Sequence, residues 1–350
     1  MYTRNDIIMA VDYHDKNLTI RWLNCHTGQE RILKRPTTAE HICRLIDVAV
    51  SEALSQDGQV IWIMESTTGW ARVKQLIGSR ATYIVANVLQ MPLPPKAYRR
   101  KTDKIDTGRM LREYLNGTLP QAFQPSVSVR RIRRLVALRE NLVSRRTALR
   151  NWMNRYLAHE TWDERTGLWS KQGMRRLRKM ISSTPEPDQT VLTIKLSELE
   201  QLENWLTPIE NKIIGIYQHW RQAQWLSQIS GIAAISAVSI LARVWPIQRF
   251  KSAEELIAYA GLSPGIRESD QTLRVGRIGG GGTDKHLRHY LIEASIWARR
   301  IPRYRPTYER VMHKRGKKIG RLVVARMLLR SIYKMLECNV RFNQMPKQVG

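Results

Sequence analysis

Ile7-Ile8-Met9-Ala10-Val11-Asp12 and Val60-Ile61-Trp62-Ile63-Met64-Glu65 decide the fold. Each is a run of apolar residues closed by one carboxylate. An unbroken apolar run of this length reads as a strand buried on both faces. Between the two, Leu18 to Asn24 and Arg31 to Lys34 read as neighbouring antiparallel strands, joined through the turn His26-Thr27-Gly28-Gln29. A helix is predicted around Thr38 to Leu54, and Thr82 to Val88 supplies a further apolar strand. Three strands, helix, strand, helix, strand is an α/β order and predicts a mixed central sheet with helices on its faces.

That arrangement, the ribonuclease H-like one among others, is expected to fill residues 1–120. From Ser128 to Leu157 the pattern becomes helical, with Leu135, Leu138, Leu142, Leu149 and Trp152 marking an apolar stripe. The remaining faces carry eight arginines between Arg130 and Arg150 against one acid, Glu140, more than solubility requires. Arg130, Arg131, Arg133 and Arg134 are therefore candidate nucleic-acid contacts, the plainer alternative being a solvated face. Trp162 to Gln189, with Pro185-Glu186-Pro187, reads as a linker or loop. A second long helical pattern places Leu199, Leu202, Leu206, Ile209, Ile213 and Ile216 at coiled-coil spacing. Pro208 is expected to break it, with Thr207 capping the restarted helix. The seam could serve an intramolecular hairpin or a dimer contact. This helical coiled-coil section is assigned to 121–223 and a mainly α-helical domain to 224–350, where Ile229-Ser230-Gly231-Ile232-Ala233 is a candidate helix-hairpin-helix turn able to grip a phosphate.

The chain has 350 residues, more than one average core needs, so two or more domains are expected. Its 58 Lys and Arg outweigh 30 Asp and Glu, a net charge of +28 that seeks a polyanion. A membrane partner is disfavoured, because no apolar run reaches the roughly 18 residues a spanning helix requires. The three cysteines, Cys25, Cys43 and Cys338, lack the paired spacing of a zinc or redox site and read as reduced core residues. The N-terminus shows no secretory leader, which predicts a cytoplasmic, nucleoid-associated protein.

The chemistry is carried by acids. Asp12 and Glu65 close two buried strands, and Asp103 and Asp106 lie three apart in Lys101-Thr102-Asp103-Lys104-Ile105-Asp106, on one face if that segment is helical. Four gathered carboxylates repel one another unless divalent cations neutralise them. Oxygen-only ligands suit Mg²⁺, with Mn²⁺ as the alternative. Such a site can activate a nucleophile and stabilise the leaving oxygen of a phosphodiester.

These residues resemble the DEDD motif of the insertion-sequence 110 family of transposases, relatives of the pilin-gene inverting recombinases. The second half is similar too, in Ala258-Tyr259-Ala260-Gly261-Leu262-Ser263-Pro264, Arg274-Val275-Gly276-Arg277-Ile278, Lys285-His286-Leu287-Arg288, Lys314-Arg315-Gly316-Lys317-Lys318 and the run from Val323 to Arg330. The resemblance implies a RuvC-like nuclease domain with Asp12, Glu65, Asp103 and Asp106 as Mg²⁺ ligands, a coiled coil, and a C-terminal domain with a nucleophilic serine. Members of the RNA-guided type link that serine to DNA, are directed by a structured noncoding RNA, and build composite sites from two subunits, so a dimer or tetramer is implied. Where relatives show paired serines followed by glycines, this chain has Glu268-Ser269-Asp270-Gln271, leaving Ser269 as the candidate nucleophile. Arg274 and Arg277 are candidates for holding the scissile phosphate. Gly279 to Gly282 read as a loop, and some of the eleven tryptophans as platforms for unpaired bases. A junction-resolving nuclease that uses water, a site-specific DNA invertase, and a non-catalytic nucleic-acid scaffold are the rival readings. If phosphate contacts dominate, fluorescence anisotropy should show duplex affinity falling by about a thousandfold as salt rises from roughly 50 to 200 mM.

Overall fold

The computed structural model describes residues 2–67, 69–92, 103–159, 166–269, 272–279 and 283–344, with backbone alone for 104, 264–269 and 272–278. The chain divides into two compact units, Met1–Gln124 and Pro125–Gly350. In the first, β1 (Ile7–Tyr13), β2 (Asn17–Asn24), β3 (Glu30–Pro36), β4 (Val60–Glu65) and β5 (Thr82–Ala86) form one sheet in the order β3-β2-β1-β4-β5. β1 pairs antiparallel with β2 and β2 with β3, whereas β4 lies parallel to both β1 and β5. The hairpin turn is held by the Asn24 side chain, whose Oδ1 accepts from the amides of His26 and Thr27. Gly28 adopts φ 72°, a left-handed conformation that glycine takes without steric cost.

Period-two alternation assigns the two faces. Ile7, Met9 and Val11 of β1 and Val60, Trp62 and Met64 of β4 pack with α1 (Ala39–Leu54), which Thr38 caps by accepting from the His41 amide. Ile8, Ala10, Ile61 and Ile63 face the other way, onto Met110 and Leu111 of α3 (Asp103–Leu115). α2 (Trp70–Ile77) lies between β4 and β5 in the chain. β5 stops at Ala86 because the next amide, that of Asn87, donates to Pro120 and leaves the ladder.

The second unit opens with α4 (Val127–His159), α5 (Lys171–Ser183) and α6 (Asp188–His219). The α6 seam is intramolecular: Leu192, Leu196, Leu199, Leu202 and Leu206 pack with Leu142, Leu149, Met153 and Leu157 of α4. Leu138, expected in the stripe, is 49% exposed, and Val136 is buried in its place. The break expected at Pro208 is absent, since α6 runs through it. A helix-interior proline costs about 3 kcal/mol, and three buried neighbours, Leu202, Leu206 and Ile213, each return roughly 1.5–3 kcal/mol. Thr207 does not cap; its hydroxyl donates back to the Glu203 carbonyl at 3.1 Å.

The expected linker over 162–189 also needs correction, because α5 occupies its middle. Ser170 caps α5 by accepting from Gly173 at 3.1 Å, and Gly173, Leu177 and Ile181, four residues apart, are its buried face. A Cβ on Gly173 would sit 2.2 Å from the Gly167 carbonyl oxygen, so only glycine allows this approach. The Pro185-Glu186-Pro187 breaker then separates α5 from α6.

The rest of the unit comprises α7 (Arg221–Leu226), α8 (Ala234–Val244), α9 (Ala253–Tyr259), the hairpin β6 (Pro264–Ser269) and β7 (Thr272–Ile278), α10 (Lys285–Ala298), α11 (Arg305–Arg315) and α12 (Lys317–Glu337). Gly231, at φ 94°, turns the chain from α7 towards α8, and a Cβ there would meet the Ala294 carbonyl oxygen of α10 at 2.5 Å. A charged network ties α4, α8 and α10: Arg243 pairs with Glu140 at 2.7 Å and with Asp284 at 3.0 Å, and Asp284 also caps α10. The cysteines are free but not core: Cys25 and Cys43 are half-buried and Cys338 is exposed. Among the described residues no helix is long and apolar enough to cross a membrane.

Leu202→Ala should lower the urea-unfolding stability of the Pro125–Gly350 unit by about 2–5 kcal/mol. Leu138→Ala should change it by less than about 0.5 kcal/mol.

Candidate metal centre

β1 and β4 run parallel and in register, Val11 opposite Met64, so Asp12 and Glu65 follow the last matched pair at the carboxyl ends of adjacent strands. By alternation both fall on the face that α3 covers, and the first turn of α3 carries Asp103 and Asp106. Crevices beyond the carboxyl ends of strands are where open α/β sheets place their ligands. The sheet and α3 thus bring four acids, distant in sequence, to one edge.

The side chains converge most closely around Asp12, which is buried. Asp12, His14 and Asp103 each offer a ligand atom within 4.8 Å of the others. His14 Nε2 stands 3.3 Å from Asp12 Oδ2 and 3.5 Å from Asp103 Oδ1, and Thr19 donates its hydroxyl to Asp103 Oδ2 at 3.4 Å. Asp106 pairs with Arg109 at 3.7 Å and is close enough to Asp12 to act on its ionisation. Glu65 is half-buried at the neighbouring strand end. Burial raises the Asp12 carboxyl above its ordinary 3.8; His14 opposes that rise, and Asp103 and Asp106 add to it. His14 was not a sequence candidate. It stands two residues after Asp12, just beyond the end of β1, and only the arrival of Asp103 on α3 singles it out.

The other candidates are less concentrated. Ser269 is the last residue of β6, paired with Thr272 at the tip of the hairpin, with Asp270 and Gln271 outside the described residues. Arg274 lies opposite Arg267 in the same hairpin, and Arg277 follows on β7. Of the Gly279 to Gly282 run, only Gly279 is described. Along α4, Arg131 and Arg134 are exposed and can meet a polyanion. Arg133 instead donates to the carbonyls of Ala242 and Arg243 at the end of α8, which gives it a structural task, and Arg130 is half-buried.

Residues 10–160, which hold all four acids, match the DEDD transposase family model of the IS110 group, and residues 223–310 match the model described as the transposase IS116/IS110/IS902 family. The chain belongs to the IS110 family of transposases. A Sinorhizobium fredii protein described as a transposase, y4pF/y4sB, is 23% identical over 229 residues, covering 64% of this chain and 56% of its own length. The IS110 match begins in β1 and ends just beyond α4, so it takes in the whole carboxylate edge, and the second match spans the β6–β7 hairpin.

The metal-free centre of this IS110 family chain should be electrostatically strained at neutral pH. Because the folded Asp12 carboxyl holds its proton more tightly than the unfolded chain does, its contribution to stability is complete below pH 3.8 and is lost as pH rises through the raised folded value. In chelator at pH 7, Asp12→Asn is therefore expected to melt about 2–4 °C higher than wild type by calorimetry. Added Mg²⁺ or Mn²⁺ should raise the wild-type melting temperature and leave the variant unmoved.

Proposed function

We propose that this chain is a DNA recombinase that cuts, exchanges and rejoins strands, with a ribonuclease H-like, RuvC-like metal nuclease in its first unit and a serine nucleophile in its second. The observation that carries this reading is the meeting of Asp12 with His14 and Asp103, with Asp106 within electrostatic reach and Glu65 at the adjoining strand end. The sheet order, with three antiparallel strands followed by two parallel ones, supports the ribonuclease H-like assignment.

The residues fit a divalent cation. A buried carboxyl whose pKa burial raises, with a second carboxylate within 4.8 Å, is a site whose repulsion a cation would relieve. Asp12, Glu65, Asp103 and Asp106 would hold Mg²⁺ or Mn²⁺. The His14 nitrogen favours Mn²⁺ more than an oxygen-only set does. When bound, the cation supplies Lewis acidity and neutralises charge on a phosphodiester.

In the serine step, Ser269 Oγ gives its proton to a base and bonds to phosphorus. The phosphorus bond to one ester oxygen breaks, and that oxygen leaves as a strand-end hydroxyl after taking up a proton. Attack by a hydroxyl of the exchanged strand reverses the step and frees the serine. Arg274 and Arg277 would hold the scissile phosphate, and Arg131 and Arg134 flanking backbone. Carboxylates and serine belong to different compact units, so the reaction requires them to meet within one chain or between copies in a dimer or tetramer. A structured noncoding RNA would direct the choice of DNA, in a bacterial cytoplasm on the nucleoid. The working division is a nuclease domain at 1–120, a coiled-coil region at 121–223 and a serine domain at 224–350.

The test incubates the protein with Mg²⁺, co-purifying RNA and end-labelled DNA that carries the element junction, followed by a denaturing gel. A protein-linked DNA band is expected, and both Ser269→Ala and Asp12→Asn should reduce it at least about a hundredfold. Metal-dependent cutting with no linked species would replace this reading with a water-using nuclease.

A further inference from the structure

α5 has no counterpart in the sequence reading, and its outer surface is strongly basic. Lys171, Arg175, Arg176, Arg178 and Lys179 are all exposed, and the helix contains no acid. Its apolar residues are spent on the α4–α6 pair, so the basic face looks outward. Arg178 pairs with Glu200 at 2.7 Å, and Arg176 donates to the Thr166 carbonyl. Lys171, Arg175 and Lys179 have no ion-pair partner among the described residues. Five cations on thirteen residues repel one another, and such a face is stabilised by a polyanion.

Beside this face lies a cavity of about 650 Å³, the size of a small-ligand pocket. Trp169, Met174 and Leu199 give it apolar walls, and Arg150, Arg175 and Arg178 stand around them with Glu203 and Glu200, the acids that pair with Arg150 and Arg178. The Arg150 guanidinium lies over the Trp169 ring at 5.3 Å from its centroid. Arg150 Nε is buried without a hydrogen-bond partner, although the other end of the group donates to Glu203 at 2.7 Å. A ring and a planar cation lining a cavity next to a row of cations form a platform for an unstacked base with its phosphates alongside.

We infer that the α5 face and the Trp169 cavity bind an unpaired loop of RNA, the loop phosphates on Lys171, Arg175 and Lys179 and one base in the cavity. A DNA duplex keeps its bases stacked and cannot fill the cavity, whereas RNA loops present splayed bases permanently. The inference rests on reading the chain as a nucleic-acid enzyme, but it concerns a surface remote in sequence from the DEDD residues and from Ser269.

The test measures anisotropy of the full chain with three labelled probes: an RNA stem with an unpaired adenosine loop, the same hairpin in DNA, and a blunt DNA duplex. In parallel, the RNA loop carries 4-thiouridine for photocrosslinking to the wild-type protein, with the linked peptide identified by mass spectrometry. The expected crosslink falls within 166–183. Arg175→Gln with Lys179→Gln should flatten the logarithmic salt slope for the RNA hairpin by about 1.4, two single-strand phosphate contacts. Trp169→Leu should weaken RNA hairpin binding about tenfold. The crosslink requires no variant, so a misfolded Trp169→Leu protein does not shelter the inference. A crosslink elsewhere overturns it, as does a loss shared equally by the DNA hairpin or the duplex. Failure of the linked-DNA gel would sink the recombinase reading and leave these binding results standing.

Discussion

Repulsion among carboxylates at one edge of a sheet is the constraint around which the first unit is organised. Asp12 is buried, faces Asp103 across His14, and feels Asp106. Nothing in folding favours that placement. It persists because the fully buried runs of β1 and β4 lock the parallel register, and because Met110 and Leu111 fix α3 against the same face. The apolar core supplies the free energy that holds the acids together, as expected where local unfavourable energy is stored at a functional site.

The second unit solves a different problem, that of keeping a strongly basic chain folded. Its long helices bury an apolar seam and neutralise the cations nearest it, Arg139 with Glu210 and Arg146 and Arg150 with Glu203. Arg243, held between Glu140 and Asp284, joins three helices through one guanidinium. Cations left over lie on outer faces, along α5, the exposed side of α4 and the junction of α11 with α12. The positive charge is thus sorted, partly consumed in structure and partly displayed.

Strands and acids were legible because their signals are local. Five apolar residues closed by a carboxylate state both a buried strand and its end, and β1 and β4 were found that way to within two residues. What failed was anything settled by a partner distant in sequence. α5 was hidden since Gly173 reads as a breaker until the Gly167 carbonyl that lies against it is known. Pro208 reads as a stop unless the burial on either side is counted. Arg133 looks like its neighbours, yet the end of α8 takes its donors. His14 escaped because a histidine beside an acid is ordinary until α3 delivers Asp103 to it.

The β6–β7 hairpin is built on a base with almost no room in it. Arg288 reaches from α10 to the Gly261 carbonyl and to Thr283, and a Cβ on Gly261 or Gly279 would come within 2.6 Å of its guanidinium. Two strands of six and seven residues rise from that base. At about 3.3 Å per residue they make a lever arm of roughly 20 Å, so a tilt of about 10° at the foot carries the tip some 3–4 Å. One arginine between two glycines is therefore the fulcrum from which the position of the hairpin tip is set.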